Sequence, residues 1–387
     1  MLSIKKYSTA RIVCTIVAFF SLVLTSCAST RTNSTRHSSS VTGSSPVLPA
    51  TSNSSILTYG IIPPQLPIVL PSVPVPKIQM PKVIEALKEL SGGHPFIVHI
   101  YTTWSQYPSS LQSLTTEIED YASAGFIISL TLRYLPPSGK NGDIAGFQSY
   151  VESMIEHFAN QPAIKFLQIT NEPNSSVNPA ASDGAYTNVV SALVTGVEAA
   201  YAEEKKVHFN AKIGFNWFYS FGRSQDVKFW REVGAIGGSR FAHDVSWVGV
   251  DLYPGTYVPF TLPPETAKDF ASTASTDVES ALNYVRTQLM PLAGLGKSVP
   301  MGISEIGWAT NPPSRSFSEQ SALVTAFSYG ACSVVRQDNL EFMQWFDLAD
   351  NAVSLPQSPL KMGIMRYNFS PKPAFYAYKK VIAQGCS

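Results

Sequence analysis

Two glutamates close apolar runs in short polar stretches: Glu172 in Thr170-Asn171-Glu172-Pro173-Asn174, and Glu305 in Ser304-Glu305-Ile306-Gly307-Trp308. A pair of carboxyl groups becomes chemically useful when the two environments differ. One must hold its proton long enough to protonate a leaving oxygen. The other must stay ionised and attack, or stabilise, the carbon left behind. Cleavage of a glycosidic bond makes that demand, with the carboxyls ~5–5.5 Å apart for retention and ~6.5–9.5 Å for inversion. Each stretch also has a plainer reading: Pro173 after Glu172 can shape a turn, and Glu305 alone could serve as an ion-pair partner.

Other chemistries fail on spacing. Gly302-Ile303-Ser304-Glu305-Ile306 lacks the second glycine of a nucleophile elbow. The six histidines are scattered singly, no His/Cys/Asp group has metal-ligand spacing, and no Gly-Lys phosphate loop occurs. No metal and no cofactor is implied. The formal charge of +1 and the absence of a basic stripe leave nothing to recognise nucleic acid.

The elements that must position these glutamates follow from hydrophobic periodicity. From Ile56 onward, β-branched or aromatic runs alternate with amphipathic stretches, the pattern of βαβ units on a parallel sheet. Strands are expected at 56–62, 95–101, 126–134, 164–170, 211–217, 245–252, 299–304 and 340–346. Between them, helical spacing predicts apolar faces such as Val83, Leu87 and Leu90, or Ile144, Phe147, Val151 and Met154. A long helix is expected over 183–206, a short one over 227–233 and another from Thr276. Ser316 and Glu319 have the spacing of a capping box, and a last helix runs from Pro373 to about Gln384. Eight such units in succession predict a (β/α)8 TIM barrel over 56–387, whose chemistry lies at the carboxyl ends of its strands. The alternative, a doubly wound open sheet, would carry a glycine-rich turn after its first strand, where this chain has prolines.

At those carboxyl ends stand Asn171-Glu172 on the fourth strand, Asp251-Leu252-Tyr253 on the sixth, Ser304-Glu305 on the seventh and Gln344-Trp345-Phe346 on the eighth. This set resembles clan A of the glycoside hydrolases, the cellulase-like and xylosidase-like retaining barrels. The resemblance implies Glu172 as acid/base, Glu305 as nucleophile and Asn171 as the partner of the sugar 2-hydroxyl. It further implies that Tyr253 orients the nucleophile and that Trp345 is the platform beneath the reacting sugar. The segment from Met362 through Ala374 looks like the link from the eighth strand to the last helix in these enzymes. The family often has an arginine on strand two; here Arg133 ends strand three, a departure that leaves its role open. Arg133, Tyr134, Trp217 and Trp308 are further candidates for substrate binding, because sugars present apolar C–H faces to aromatic rings. Tyr59, Tyr101, Trp104 and Asn216 lie near other strand ends, and His99 reads as an inner-barrel histidine. The implied partner is a carbohydrate.

The N-terminus reads as an export signal. Lys5, Lys6 and Arg11 precede an apolar run from Ile12 to Leu24, shorter than the ~20 residues that span a bilayer. The run ends in Leu24-Thr25-Ser26-Cys27, which resembles the lipobox of bacterial lipoproteins and implies lipidation of Cys27, so residues 1–27 are expected to be a signal peptide. Ala28 after the cysteine does not resemble an inner-membrane retention signal. Residues 28–55 are dominated by Ser, Thr and Asn and read as a flexible tether from a membrane lipid anchor. The expected location is the cell envelope. Cys332 and Cys386, at the expected bottom rim of neighbouring helices, could form a disulfide there. The leading expectation is a retaining glycoside hydrolase; a surface-anchored carbohydrate-binding barrel and a transglycosylase are the alternatives. Oligomeric state and the sugar stay open.

Overall fold

The computed structural model describes residues 57–64, 79–220, 223–258, 260, 267–311, 315–350 and 361–386. The expected signal peptide, Cys27, the tether and most of the proline-rich stretch after the first strand lie outside the described residues. Eight parallel strands close a barrel in sequence order. They are β1 (Thr58–Ile61), β2 (Phe96–Thr103), β3 (Ile127–Arg133), β4 (Ile164–Ile169), β5 (Lys212–Phe218), β6 (Trp247–Leu252), β7 (Met301–Ile306) and β8 (Leu340–Trp345). Eight helices surround them: α1 (Met80–Ser91), α2 (Leu111–Ser123), α3 (Ile144–Phe158), α4 (Val189–Val207), α5 (Arg223–Asp244), α6 (Ala267–Tyr284), α7 (Phe317–Val334) and α8 (Pro373–Gln384). The fold is the (β/α)8 barrel.

The helices form where the periodicity places them, each laying an apolar stripe on the sheet. Val83, Leu87 and Leu90 of α1 are fully buried, as are Phe147 and Val151 of α3. Ser316 caps α7 by accepting from the Glu319 amide, while the Glu319 carboxylate accepts from the Ser316 amide. Three helix boundaries differ from expectation for local reasons. α4 begins at Val189 rather than Asp183, because the Asp183 carboxylate is drawn inward to the ends of β3 and β4. The short helix expected over 227–233 is part of a longer α5 that kinks at Gly238. α6 starts earlier, at Ala267, and runs into a π-turn over Val285–Leu289.

Alternate residues of each strand face the barrel axis, and the interior is layered. Ile97, Phe166, Trp247 and Phe342 plug the bottom as one apolar cluster. Gly302 makes room for that plug, since a Cβ there would sit 2.2 Å from the Phe342 ring. The next layer is polar yet sealed: His99, Thr131, Gln168 and Gln344 are all fully buried. His99 Nε2 lies 2.7 Å from Thr131 Oγ1, and burial pushes the imidazole down to about 3, so it is neutral. Above this layer the strands open onto the mouth.

Cys332 at the end of α7 is bonded to Cys386 just beyond α8, with Cα atoms 5.2 Å apart and a sequence separation of 54. The bridge ties the last helix back onto the barrel wall and shortens the unfolded chain. Replacing both cysteines by serine is expected to lower stability by about 2–4 kcal/mol. Guanidinium unfolding of the variant against the oxidised wild type measures this; equal midpoints would show that the bridge adds nothing.

Candidate active site

Two local irregularities bring the chemistry together. At the end of β4, Thr170 and Glu172 adopt left-handed backbone, with φ of 65° and 44°. Such backbone costs an L-residue about 1–2 kcal/mol and breaks the alternation of the strand, so that consecutive residues Asn171 and Glu172 both turn toward the axis. In β7 the register shifts between Ile303 and Ile306. Ser304 and Glu305 therefore also point inward in succession, Ser304 to Asp251 and Glu305 to Tyr101 and Tyr253. Gly249 on β6 leaves the gap that Ser304 fills, as a Cβ there would stand 2.3 Å from its Oγ.

Glu305 is held from two sides. Tyr101 on β2 donates to Oε1 at 2.5 Å, and Tyr253, just past β6, donates to Oε2. Glu172 is positioned through its backbone instead: its amide donates to Asn216 Oδ1 at 2.8 Å. Asn216 in turn donates to Asn171 Oδ1 at 2.8 Å and to Asp251 Oδ2 at 2.5 Å. Asp251 also accepts from Ser304. A second hub lies one turn outward. Asp183 accepts from Arg133 at 2.8 and 3.0 Å and from the amides of Tyr134 and Asn171, both at 2.8 Å. It thereby pins the loop after β4 to the end of β3.

Glu172, Asp251 and Glu305 each present a carboxylate oxygen within 4.8 Å of the others, all three groups being buried. Their environments separate their ionisation. Burial raises Glu172 well above the usual carboxylate range; the charge of Glu305 adds to this, and Arg133 opposes it. Burial also raises Glu305, but the two phenol donors and then Arg133 pull it back. Glu305 therefore gives up its proton first, and Glu172 keeps its own. Asp251 is raised well above its ordinary value by burial and by both glutamates. The three oxygens are spaced so that each could also offer a ligand to a cation. The donors already on Glu305 and Asp251 fit hydrogen-bonded acids better, because each donor hydrogen would face the ion.

The structure brings Glu172, Glu305, Asn171, Tyr253 and Arg133 together at the mouth. Arg133 is 2% exposed and fully engaged with Asp183 and the carbonyl of Ala180, so it acts on the glutamates through its field. The aromatic candidates are placed elsewhere. Trp345 faces outward between Phe327 of α7 and Tyr378 of α8, and its Nε1 donates to Met362 O. Trp217 faces outward onto Trp230 of α5. Tyr134 packs against Trp104 and Phe147 and donates to Thr187 O. Trp308 is buried beside Phe270 of α6, with the Arg315 guanidinium 5.0 Å above its ring. Tyr59 packs on Tyr378.

The rings that do border the mouth are the next residues along the chain. Phe218, Tyr253, Tyr257 and Phe346 form a connected wall, with centroids 5.1–6.4 Å apart. Strand parity explains the exchange: with Asn216 and Gln344 inside, Phe218 and Phe346 are inside and Trp217 and Trp345 cannot be. Asp251, Asp183 and the clamping role of Tyr101 were not read from sequence. Asp251 and Tyr101 share the inward parity of Tyr253 and His99, a signal that was available; Asp183 carried none.

No protein-family model matches the chain, and no curated protein matches it. Among solved structures it is similar to a family 39 glycoside hydrolase from Bacteroides cellulosilyticus WH2, with a TM-score of 0.55 and 15% identity over 85% of this chain. It spans 64% of that protein, less than two thirds of its length. It is also similar to β-glucosidase from Thermotoga maritima in complex with galacto-hydroximolactam (TM-score 0.58, 15% identity, 79% of this chain and 86% of that one). The same enzyme with castanospermine gives 0.56, 16%, 79% and 86%. At this identity the likeness establishes the barrel fold, and the neighbours that share it are glycoside hydrolases.

The phenol of Tyr253 stabilises the charged form of Glu305. Tyr253→Phe is therefore expected to move the titration of Glu305 to higher pH, read by 13C NMR of the labelled carboxyl. An unmoved titration would show that the contact carries no charge stabilisation.

Proposed function

We propose that the protein is a retaining O-glycoside hydrolase acting on a poly- or oligosaccharide, with Glu305 as nucleophile and Glu172 as acid/base. The observation that carries the reading is the pair itself. Two buried carboxyls from β4 and β7 have oxygens within 4.8 Å of each other, near the ~5–5.5 Å of retaining chemistry and short of the gap that an attacking water needs in an inverting site. Of the two glutamates, Glu305 is the one with side-chain donors to its carboxylate among the described residues.

In the first step a Glu305 oxygen attacks the anomeric carbon while Glu172 delivers its proton to the departing glycosidic oxygen. The C–O bond breaks with its electron pair on the leaving alcohol, and a glycosyl ester forms on Glu305. Glu172, now ionised, takes a proton from water. The resulting hydroxide equivalent attacks the same carbon and releases Glu305, and two inversions give net retention. As Glu305 loses its charge in the ester, the repulsion that raised Glu172 disappears, so the same group can act as acid and then as base. Asn171 stands beside Glu172, with Oδ1 held by Asn216 and Nδ2 donating to Ala181 O at 2.9 Å. In this reading it meets the sugar 2-hydroxyl. The wall of Phe218, Tyr257 and Phe346 supplies the apolar platform.

The decisive experiment uses the barrel from about residue 50 on a panel of aryl glycosides and β-glycans. Glu172→Gln and Glu305→Gln are each expected to lower kcat by at least about 10²-fold. Azide should rescue Glu172→Ala with a glycosyl azide of retained configuration, and Glu305→Ala with one of inverted configuration. Transfer to an added sugar in place of water would favour the transglycosylase. Saturable glycan binding without turnover, unaffected by either substitution, would leave a binding protein.

We further propose that the barrel is exported and held at the cell envelope by a lipid on Cys27. The lipobox-like Leu24-Thr25-Ser26-Cys27 and the polar stretch behind it support this. Cys27→Ser expressed in a bacterial host should shift the protein from the detergent phase to the aqueous phase on Triton X-114 partition; unchanged partition would exclude the anchor.

A further inference from the structure

Glu172 follows the end of β4 and Glu305 stands on β7, so β5 and β6 separate them along the barrel wall. The hydrogen bonds that cross this interval converge on one side chain. Asp251 on β6 is fully buried. Its Oδ2 accepts from Asn216 Nδ2 of β5 at 2.5 Å, and its Oδ1 accepts from Ser304 Oγ of β7 at 2.5 Å. Asn216 is oriented by its other bonds: its Oδ1 accepts from the Glu172 amide, and its Nδ2 donates a second time to Asn171 Oδ1, both at 2.8 Å. Ser304 immediately precedes Glu305, inside the register shift that turns both residues inward. A continuous string of hydrogen bonds therefore runs from the Glu172 amide through Asn216 and Asp251 to Ser304.

The packing is shaped around this string. A Cβ at Gly249, two residues before Asp251, would stand 2.3 Å from Ser304 Oγ and 3.0 Å from Asn216 Cβ. The missing side chain lets both partners close on the aspartate from the flanking strands. An acid is also a costly choice for this place. Its oxygens lie within 4.8 Å of those of both glutamates, and burial and these two charges oppose its ionisation. An apolar side chain would avoid that cost but would join nothing.

We propose that Asp251 is a positioning residue that couples the backbone holding Glu172 to the strand irregularity carrying Glu305, and so sets the separation of the two carboxyls. This rests on the glycosidase reading above. It adds that the separation is held through the wall from β4 to β7, and that the link works through its geometry and not its charge. Asparagine has the same shape and keeps both links. Its oxygen would accept from Asn216, and its amide would donate to Ser304, whose hydroxyl can take either role.

The test compares wild type with Asp251→Ala, Asp251→Asn, Ser304→Ala and the double variant Asp251→Ala/Ser304→Ala. All are assayed on the aryl glycoside that wild type hydrolyses best, at a temperature where near-UV circular dichroism matches wild type. Loss of the link misplaces the pair without removing a contact to the sugar. Asp251→Ala is therefore expected to lower kcat about 10–10²-fold with KM within about threefold. Asparagine should recover all but about threefold of that loss. Ser304→Ala cuts the same string while keeping the aspartate, and serves should Asp251→Ala fail to fold. It should lower kcat about fivefold, and the double variant should be little worse than Asp251→Ala alone.

Wild-type turnover with kcat unchanged in Asp251→Ala and Ser304→Ala, or a loss confined to KM, overturns this assignment and leaves the glycosidase reading intact. Asparagine as poor as alanine would assign the effect to charge, and fully additive losses in the double variant would break the string; either result overturns it too. Absence of wild-type turnover on every sugar sinks both.

Discussion

Two carboxyl groups buried in one barrel mouth cannot both carry charge without cost, and the site is built around that repulsion. Glu172 and Glu305 are both buried, and burial raises both. The difference is in hydrogen bonding. Glu305 receives phenol donors on both oxygens, while Glu172 is fixed through its backbone amide and shows no donor to its carboxylate among the described residues. The anion is thereby assigned to one partner and the proton to the other. In the mechanism proposed above, that assignment reverses once Glu305 gives up its charge. Asp251 adds a third acid to the same space, and its two donors, Ser304 and Asn216, keep it tied to the wall.

Holding such a pair at fixed separation requires rigidity that a plain strand end does not supply. The left-handed backbone at Thr170 and Glu172 is strained for residues with side chains. It persists because the surroundings leave no alternative: the Asn171 amide is bound by Asp183, the Glu172 amide by Asn216, and the Asn171 side chain by Asn216 and Ala181. Arg133 supports this indirectly. Its guanidinium is spent on Asp183 and Ala180, so it orders the loop that carries Asn171 and reaches the acids as a field.

The eight-strand order and the addresses of Glu172 and Glu305 were legible because they rest on periodicity and on strand ends, both of which survive errors of a residue or two. The aromatic platform was not, because it depends on strand parity, where an error of one residue changes the face. The resemblance implies Trp345 as the platform, and Trp217 is a candidate as an aromatic ring near a strand end, yet both lie in the layer between strands and helices. The neighbours Phe218 and Phe346 take the mouth. Parity could have been set from Asn216 and Gln344, polar residues that only the barrel interior would tolerate at those positions. The late start of α4 had no such signal, since Asp183 leaves the helical pattern only to serve Arg133 and two amides that are distant in sequence.

The layering of the interior explains why the clamp on Glu305 can rest on a neutral base. Below the mouth, the buried polar layer contains amides, a hydroxyl and an imidazole held near 3, so nothing there is charged at neutral pH. His99 stacks on Tyr101 at 4.4 Å and supports its ring without offering a charge. A protonated histidine at this place would put a cation beneath the carboxyl pair and perturb both acids. Burial prevents this by lowering the imidazole, and it raises the phenol well above its ordinary value. The apolar plug of Ile97, Phe166, Trp247 and Phe342 closes the bottom. The carboxyl groups of the proposed chemistry are thus left facing the open end of the barrel.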